Sequence, residues 1–325
     1  MSKNNALASG LSAAAASSLF LGLSPVFGRM AITLGLPPLF VVVVRTGLAS
    51  LLMLAFIFFF RRSFLFIYPA GLLGCLIAGW INGMGSLLYY SALGRIGASL
   101  GQVIYSVYPV FVALWLWLDH QKPSRLTLFR LGLALPALFL LLQAAPGSNT
   151  TLEGQSGLDL TGVWMMLVSA LLYALHLPIN QRVLLDMPAP TVTMYTLLAM
   201  SATTLPALFF ITFPALPAAT SWLALLGLTA VTFMSRLTLF LGVKHLGGTQ
   251  TAILGLGELL ITIFFSHWLL NESLSLIQWV GVGLLMITLV LSIFEKPMPR
   301  RRSGGGWLSW LRPPGVSTDF PWPRD

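Results

Sequence analysis

Residues 95–111 read RIGASLGQVIYSVYPVF, and residues 245–260 read HLGGTQTAILGLGELL. Laid over each other, they align Gly97 with Gly247, Ser99 with Thr249, and Tyr108-Pro109 with Glu258-Leu259. The correspondence continues outward. SPVFGR places Pro25 four residues before Arg29, and LPINQR places Pro178 four before Arg182. Pro37 follows Pro25 by twelve residues, as Pro190 follows Pro178. QKPS (121–124) has its counterpart in ESLS (272–275). Landmarks kept in one order at a nearly constant offset mark an internal repeat, and a repeat decides the fold class before any single element does.

The chain has 325 residues, 57% of them hydrophobic and only 8% charged. A soluble domain carries roughly a quarter charged residues, so there is too little polar surface here for a water-soluble globule. A bilayer core of ~30 Å needs roughly 20 apolar residues per helix. Ten such stretches can be read, at about 11–34, 38–60, 66–93, 97–118, 126–144, 158–181, 190–212, 221–243, 247–270 and 276–294. The expected fold is an all-α integral membrane protein of ten transmembrane helices. A first five-helix repeat takes 1–145, an extracytoplasmic linker 146–157, a second repeat 158–296 and a basic tail 297–325. Five is odd, so the second half enters the membrane upside down. Inverted-topology repeats with a substrate site near the midplane are a secondary-transporter architecture.

The net charge of +9 could suggest a nucleic-acid partner, but its placement argues for topology instead. With the N-terminus in the cytosol, Lys3, Arg61, Arg62, Lys122, Arg125, Arg130, Arg182, Lys244 and the basic residues from Lys296 to Arg324 fall on or beside cytosolic segments. Arg95 falls outside, and Arg29, Arg45 and Arg236 lie within spans. That bias orients the chain with both termini in the cytosol of an inner or plasma membrane. The opening MSKNNALASGLSAAAASS reads as part of an uncleaved first helix. The arginines and tryptophans of the tail could touch anionic lipid; a flexible tail that orients the last helix is the simpler expectation.

Cys75 is the single cysteine, which excludes an internal disulfide and a cysteine metal cluster. The four histidines are dispersed, so neither a metal nor a cofactor is expected. No phosphate-binding G-x-x-x-x-G-K-[ST] occurs. Ser86 and His176 are the nearest thing to a serine–histidine pair, and no two aspartates lie within spans. An intramembrane enzyme is therefore the weakest class; a facilitator, channel or lipid flippase of the same fold ranks between it and a secondary transporter.

Glu258 is the one acidic residue deep in a span. It lies about eleven residues, roughly 16 Å, into the ninth stretch at 1.5 Å per residue. An ionised side chain at mid-membrane costs roughly 2.5–3.5 kcal/mol or more, so it needs a partner, a proton or a wet cavity. A substrate- or proton-binding carboxylate meets that need, and so does a structural ion pair. Arg45 and Arg236 are candidates for an anion contact, with Arg236 a possible partner of Glu258; snorkelling to the interface is the alternative. Arg29 reads as interfacial. Gln102 and Tyr105 share one face of the fourth stretch with Tyr108 and Pro109, and Asn82 is a polar residue within the third. Pro109 suits a hinge. Trp80, Tyr89 and Tyr90 would add aromatic surface. Pathway lining and polar contact between helices both suit these residues. Gly79/Gly83 and Gly97/Gly101 read as close-packing pairs.

The blocks YYSALGRIGASLGQVIYSVYPVFVALWLWL (89–118) and FLGVKHLGGTQTAILGLGELLITIFFSHWLLNESLS (240–275) resemble the duplicated EamA-type domain of the drug/metabolite transporter superfamily, as does VVVVRTGLASLLMLAFIFFF (41–60) with its early Arg45. The Glu-Pro-like pair of that family is split here. The first half keeps Pro109 behind Tyr108, and the second keeps Glu258 ahead of Leu259. Glu272 matches the exit glutamate, and Gln121 replaces it in the first half. The resemblance implies ten helices, cytosolic termini and export of metabolites, amino acids or drug-like compounds. It also implies a central cavity lined by spans one, three, four, six, eight and nine, with proton coupling through Glu258 as one expectation.

Overall fold

The computed structural model describes residues 3–143, 159–211, 219–270, 275–291, 294 and 306–311. In chain order the helices are α1 (Lys3–Thr33), α2 (Pro38–Phe60), α3 (Pro69–Leu93), α4 (Ala98–Tyr105), α5 (Tyr108–Leu118), α6 (Arg125–Gln143), α7 (Leu160–Leu184), α8 (Ala189–Thr204), α9 (Ala219–Leu246), α10 (Gly248–Leu254), α11 (Gly257–Leu270) and α12 (Leu276–Leu291). No strand occurs among the described residues. Several starts are written in proline. α2, α3, α5 and α8 each carry one in the first turn, where the missing N–H has no helical partner to lose. α7 starts on Asp159, whose carboxylate accepts from the backbone N–H of Thr161 at 2.9 Å and of Gly162 at 3.2 Å. The Gly162 N–H first, and then the Arg95 guanidinium 3.2 Å away, hold this carboxyl below the usual carboxylate range. The 146–157 linker and Glu272 lie outside the described residues.

Among the described residues, eight stretches are long and apolar enough to cross a membrane. They are α1 from Ser9, α2, α3, α4 with α5, α7, α8 with the 3-10 turn after it, α9, and α10 with most of α11. α6 and α12 pack against each other. Arg130 of α6, read from sequence as lying on or beside a cytosolic segment, is fully buried there, and its Nε donates to the Thr288 carbonyl at 3.1 Å. Polarity is inverted relative to a soluble globule. Arg45, Asn82, Gln102, Arg236 and Glu258 are buried, whereas Phe59, Phe210 and Trp268 are more than two-thirds exposed. Trp80 joins that outer apolar surface instead of any interior one. Such an exterior suits lipid, where the inward polar groups find partners within the protein.

Contacts come in pairs that exchange the halves. α1 runs along α9 as α7 runs along α3; α3 meets α8 as α9 meets α2; α1 meets α11 as α7 meets α5. α2 against α8 and α6 against α12 are their own mirror images. Gly79 and Gly83 bring α3 onto α8, as their spacing predicts. A Cβ on Gly79 would sit 2.5 Å from that of Ala199, and one on Gly83 would sit 2.8 Å from that of Thr203. Gly97 behaves differently. It precedes α4 and so is not part of a helical packing pair.

The sequence reads 97–118 and 247–270 as continuous helices, but both are broken, and at corresponding places. α4 stops at Tyr105 and α5 starts at Tyr108; α10 stops at Leu254 and α11 starts at Gly257. A break inside the membrane frees carbonyls that must be met from within the protein. Ser18 donates to the Leu254 carbonyl at 2.9 Å, and Tyr108 donates to that of Ala252 at 3.1 Å. Pro109 therefore begins a new helix, where the sequence had suggested a kink in one. At Gly22 the backbone of α1 passes so close to α11 that a Cβ would lie 2.5 Å from the Glu258 carbonyl oxygen and 2.6 Å from the Ile261 Cβ. Gly22→Ala is expected to destabilise the protein by about 1–3 kcal/mol through overpacking. The check is the melting temperature in detergent, which should fall below that of Gly35→Ala only if this contact sets the helix spacing; a Cβ at Gly35 meets nothing, although its φ of +99° adds strain of its own.

The tail is a further difference from expectation. Gly306–Leu311 folds back onto the helices, with Leu308 and Leu311 buried; this part does not hang free.

Candidate functional site

One narrow cavity lies between the two halves. Its walls come from α1 (Leu21, Ser24), α2 (Arg45), α3 (Asn82, Gly85, Ser86, Tyr89, Tyr90), α4 (Gln102, Tyr105), α7 (Ser169, Tyr173), α9 (Ser235, Arg236) and α11 (Glu258). The space open to water centres is about 50 Å³, room for a few waters at the ~10–15 Å³ that one requires. Arg45, Asn82, Gln102, Tyr105, Arg236 and Glu258, singled out from sequence, all face it. Tyr108 and Pro109 stand behind the wall, both buried.

Each charged group is placed by a local device. Glu258 occupies the first turn of α11, directly after the break at Gly255-Leu256. A helix N-terminus carries about half a positive charge, which partly offsets the cost of bringing a carboxylate here. The Gln102 side chain adds to this. Its carbonyl accepts from Tyr89 Oη at 2.9 Å, and it hydrogen-bonds the Glu258 carboxylate. Oε1 of Glu258 keeps no partner.

Arg45 reaches from α2 to both neighbours. Nη2 donates to Ser86 of α3 and Nη1 to Thr232 of α9, each at 3.2 Å, and the guanidinium lies 4.4 Å from the centre of the Tyr90 ring. It is 5% exposed, so it does not snorkel. Arg236 sits over Tyr173 at 5.6 Å, within cation–π range, and its Nη1 has no partner. Arg236 and Glu258 attract each other across the cavity without forming an ion pair; ion pairs do form elsewhere, at Arg95–Asp159 and Arg182–Asp119. The structure therefore does not supply the direct pairing considered for them from sequence. Arg29, expected at the interface, is buried and donates to the Leu93 carbonyl at the end of α3, where a cation suits the helix dipole.

Behind the charges stands an aromatic stack. Tyr105 lies 4.9 Å from Tyr89, 5.3 Å from Tyr173 and 5.5 Å from Tyr108, and Tyr108 meets Tyr173 edge-on at 4.9 Å. Sequence reasoning missed Tyr173. The signal was present, since Ser169, Tyr173 and His176 recur at i, i+4 and i+7 along α7, the spacing of one helical face. Asn82, Ser86 and Tyr89 repeat it on α3. Ser86 is engaged by Arg45, and His176 Nδ1 by the Tyr173 carbonyl.

The two ends of α7 are tied to the first half differently. At one end, Arg95 and Asp159 form an ion pair whose arginine side is half exposed, and exposed pairs contribute about 0–1 kcal/mol. At the other end, Asp119 after α5 meets Arg182 of α7 at 2.7 Å, both buried. Gln181 joins them, donating to Gln121 at 2.9 Å and accepting from the Gly248 N–H at 2.8 Å. Both closures tie the first half to the second.

A family model described as the EamA-like transporter family matches residues 8–143 and 160–294. An uncharacterized transporter of Synechocystis sp. is 27% identical over 238 residues, which are 70% of this chain and 67% of that protein. A crystal structure titled only as that of a protein superposes with a TM-score of 0.69 over 88% of this chain and 97% of the other, at 14% identity. That likeness establishes a common fold.

Proposed function

The chain belongs to the EamA-like transporter family, and from that premise we propose that it is a secondary transporter of small amphipathic zwitterions, amino acids foremost, working by alternating access. The membrane-transporter part follows from the family; the rest is our reading. Its main support is one arrangement. Arg236 Nη1 and Arg45 Nε on one side, and Glu258 Oε1 on the other, are buried, unpartnered and on the walls of one cavity. Unmet buried polar groups are costly unless a ligand meets them. A carboxylate would satisfy the arginines, an ammonium would satisfy Glu258, and the tyrosine stack would receive an apolar or aromatic side chain. We assign no enzymatic reaction to it.

α6 and α12 would complete ten helices, and the exchange-paired contacts support two inverted five-helix repeats. The distribution of basic residues supports a reading with both termini in the cytosol of an inner membrane. The Asp119–Arg182 end is then cytosolic, and opening it in turn with the Arg95–Asp159 end would expose the cavity to each side. One carboxylate oxygen cannot hold a proton and an ammonium together, so Glu258 would exchange one for the other. That is the chemistry of proton/zwitterion antiport, with export as its net direction.

Counterflow in proteoliposomes tests the reading. Radiolabelled amino acids with apolar side chains should exchange, and their decarboxylated or deaminated analogues should not. Arg236→Gln should weaken apparent affinity by about 1.5–3 kcal/mol, roughly 10–100-fold, the usual worth of a hydrogen bond to a charged group. Amines lacking a carboxylate that exchange as well as amino acids, indifferent to Arg236→Gln, would overturn the zwitterion assignment.

A further inference from the structure

The family match ends at residue 294, yet Gly306–Leu311 is built into the tail-side closure. Gly306 adopts φ +96°, a conformation L side chains rarely take, and a Cβ there would lie 3.0 Å from the Cα of Asp119. That turn delivers the Leu308 N–H to Asp119 Oδ1 at 3.2 Å, while Oδ2 of the same carboxylate holds Arg182. One carboxylate thus joins the closing ion pair to the tail. Leu308 is 0% and Leu311 5% exposed. The Leu311 side chain fills the groove left by Gly74 on α3, beside Val183 of α7. Trp307 completes the contact, its indole N–H donating to the Trp115 carbonyl of α5 at 3.2 Å.

We infer that Gly306–Leu311 is an autoinhibitory latch. It grips α3 and α5 of the first half and α7 of the second at the end where these must separate, so the cavity opens to the tail side only after the latch lets go. The inference rests on the alternating-access reading. Two features favour a latch over a permanent brace. The contact is one six-residue turn holding by two leucines and a few hydrogen bonds, small enough to detach. Its outer face also leaves Trp307 and Trp310 partly exposed, surface that a membrane or a regulator could engage.

The test needs a readout independent of substrate. Leu116 is buried where α5 meets Gly248 of α10, inside the closure and away from the cavity. In a Cys75→Ser background, Leu116→Cys is labelled with a maleimide in unsealed membranes. The comparison is between the full chain, Leu308→Asp and a chain ending at Arg302, with Ser309→Asp as a control at the half-buried neighbouring position. Both latch variants should label roughly tenfold faster, the factor that corresponds to about 1.4 kcal/mol lost from the closed state, and amino-acid exchange should speed up with them. Unchanged labelling in both overturns the latch. Faster labelling with slower exchange makes the segment a brace and also overturns it. Faster labelling in a protein that exchanges no amino acid leaves the latch standing and refutes the substrate reading instead.

Discussion

Glu258→Gln is expected to abolish gradient-driven transport and to leave the protein folded. Glutamine keeps the shape and can still hydrogen-bond Gln102, but it cannot carry a negative charge or release a proton. The loss of an ammonium contact is worth about 1.5–3 kcal/mol, roughly 10–100-fold in apparent affinity, and the loss of exchangeable protonation removes coupling altogether. Stability should move the other way. A buried carboxylate costs roughly 2.5–3.5 kcal/mol at mid-membrane, and only the α11 N-terminus, Gln102 and the distant Arg236 offset it here. The melting temperature of Glu258→Gln in detergent should therefore equal or exceed that of the wild type. A variant that unfolds would make Glu258 a structural residue, and a variant that transports normally would remove it from the mechanism.

Asp119→Ala should have the largest effect on stability. It leaves Arg182, buried against the closure, without its carboxylate, and it strips the Leu308 N–H of its acceptor. Breaking a buried pair by deleting one partner costs about 3–5 kcal/mol, because the remaining charge stays desolvated. Deleting both charges is a different matter, since a buried pair exchanged for apolar residues of like volume is often neutral. Thermal unfolding in detergent should thus show a large loss for Asp119→Ala and substantial recovery for Asp119→Ala combined with Arg182→Met. Equal melting temperatures for the single variant and the wild type would mean that the ion pair contributes nothing to closure.

What the sequence discloses and what it hides divide along physical lines. Hydropathy found the helices because lipid demands a continuous apolar run, and the Gly97/Gly247 landmarks found the start of each broken helix. The breaks themselves escaped. Ser106-Val107 and Gly255-Leu256 do not interrupt an averaged hydropathy, and at the second break the freed Leu254 and Ala252 carbonyls are met by Ser18 and Tyr108, far away in sequence. Glu258 was visible as an isolated charge, but its position in a first turn was not. Arg45 illustrates the limit from the other side: its depth along α2 fitted snorkelling, and only the packing of α3 and α9 around it turns it inward. Tyr173 was overlooked because a tyrosine in an apolar helix is unremarkable until its neighbours at helical spacing are counted. The tail segment was expected to be a flexible tail, but its Gly306 supplies the positive φ that lets it dock.

Alternating exposure of the cavity is the central claim, and Ser24 gives direct access to it. Its side chain faces the cavity and bonds only to its own helix, at the Phe20 carbonyl, so Ser24→Cys in a Cys75→Ser background should be tolerated. The measurement is the rate of labelling by a membrane-impermeant maleimide, applied to sealed right-side-out and inside-out vesicles, with and without saturating amino acid. Labelling from both sides, slowed by substrate and shifted between the two sides by an imposed pH gradient, is the predicted result. Labelling from one side alone under every condition, or from neither, would contradict the account.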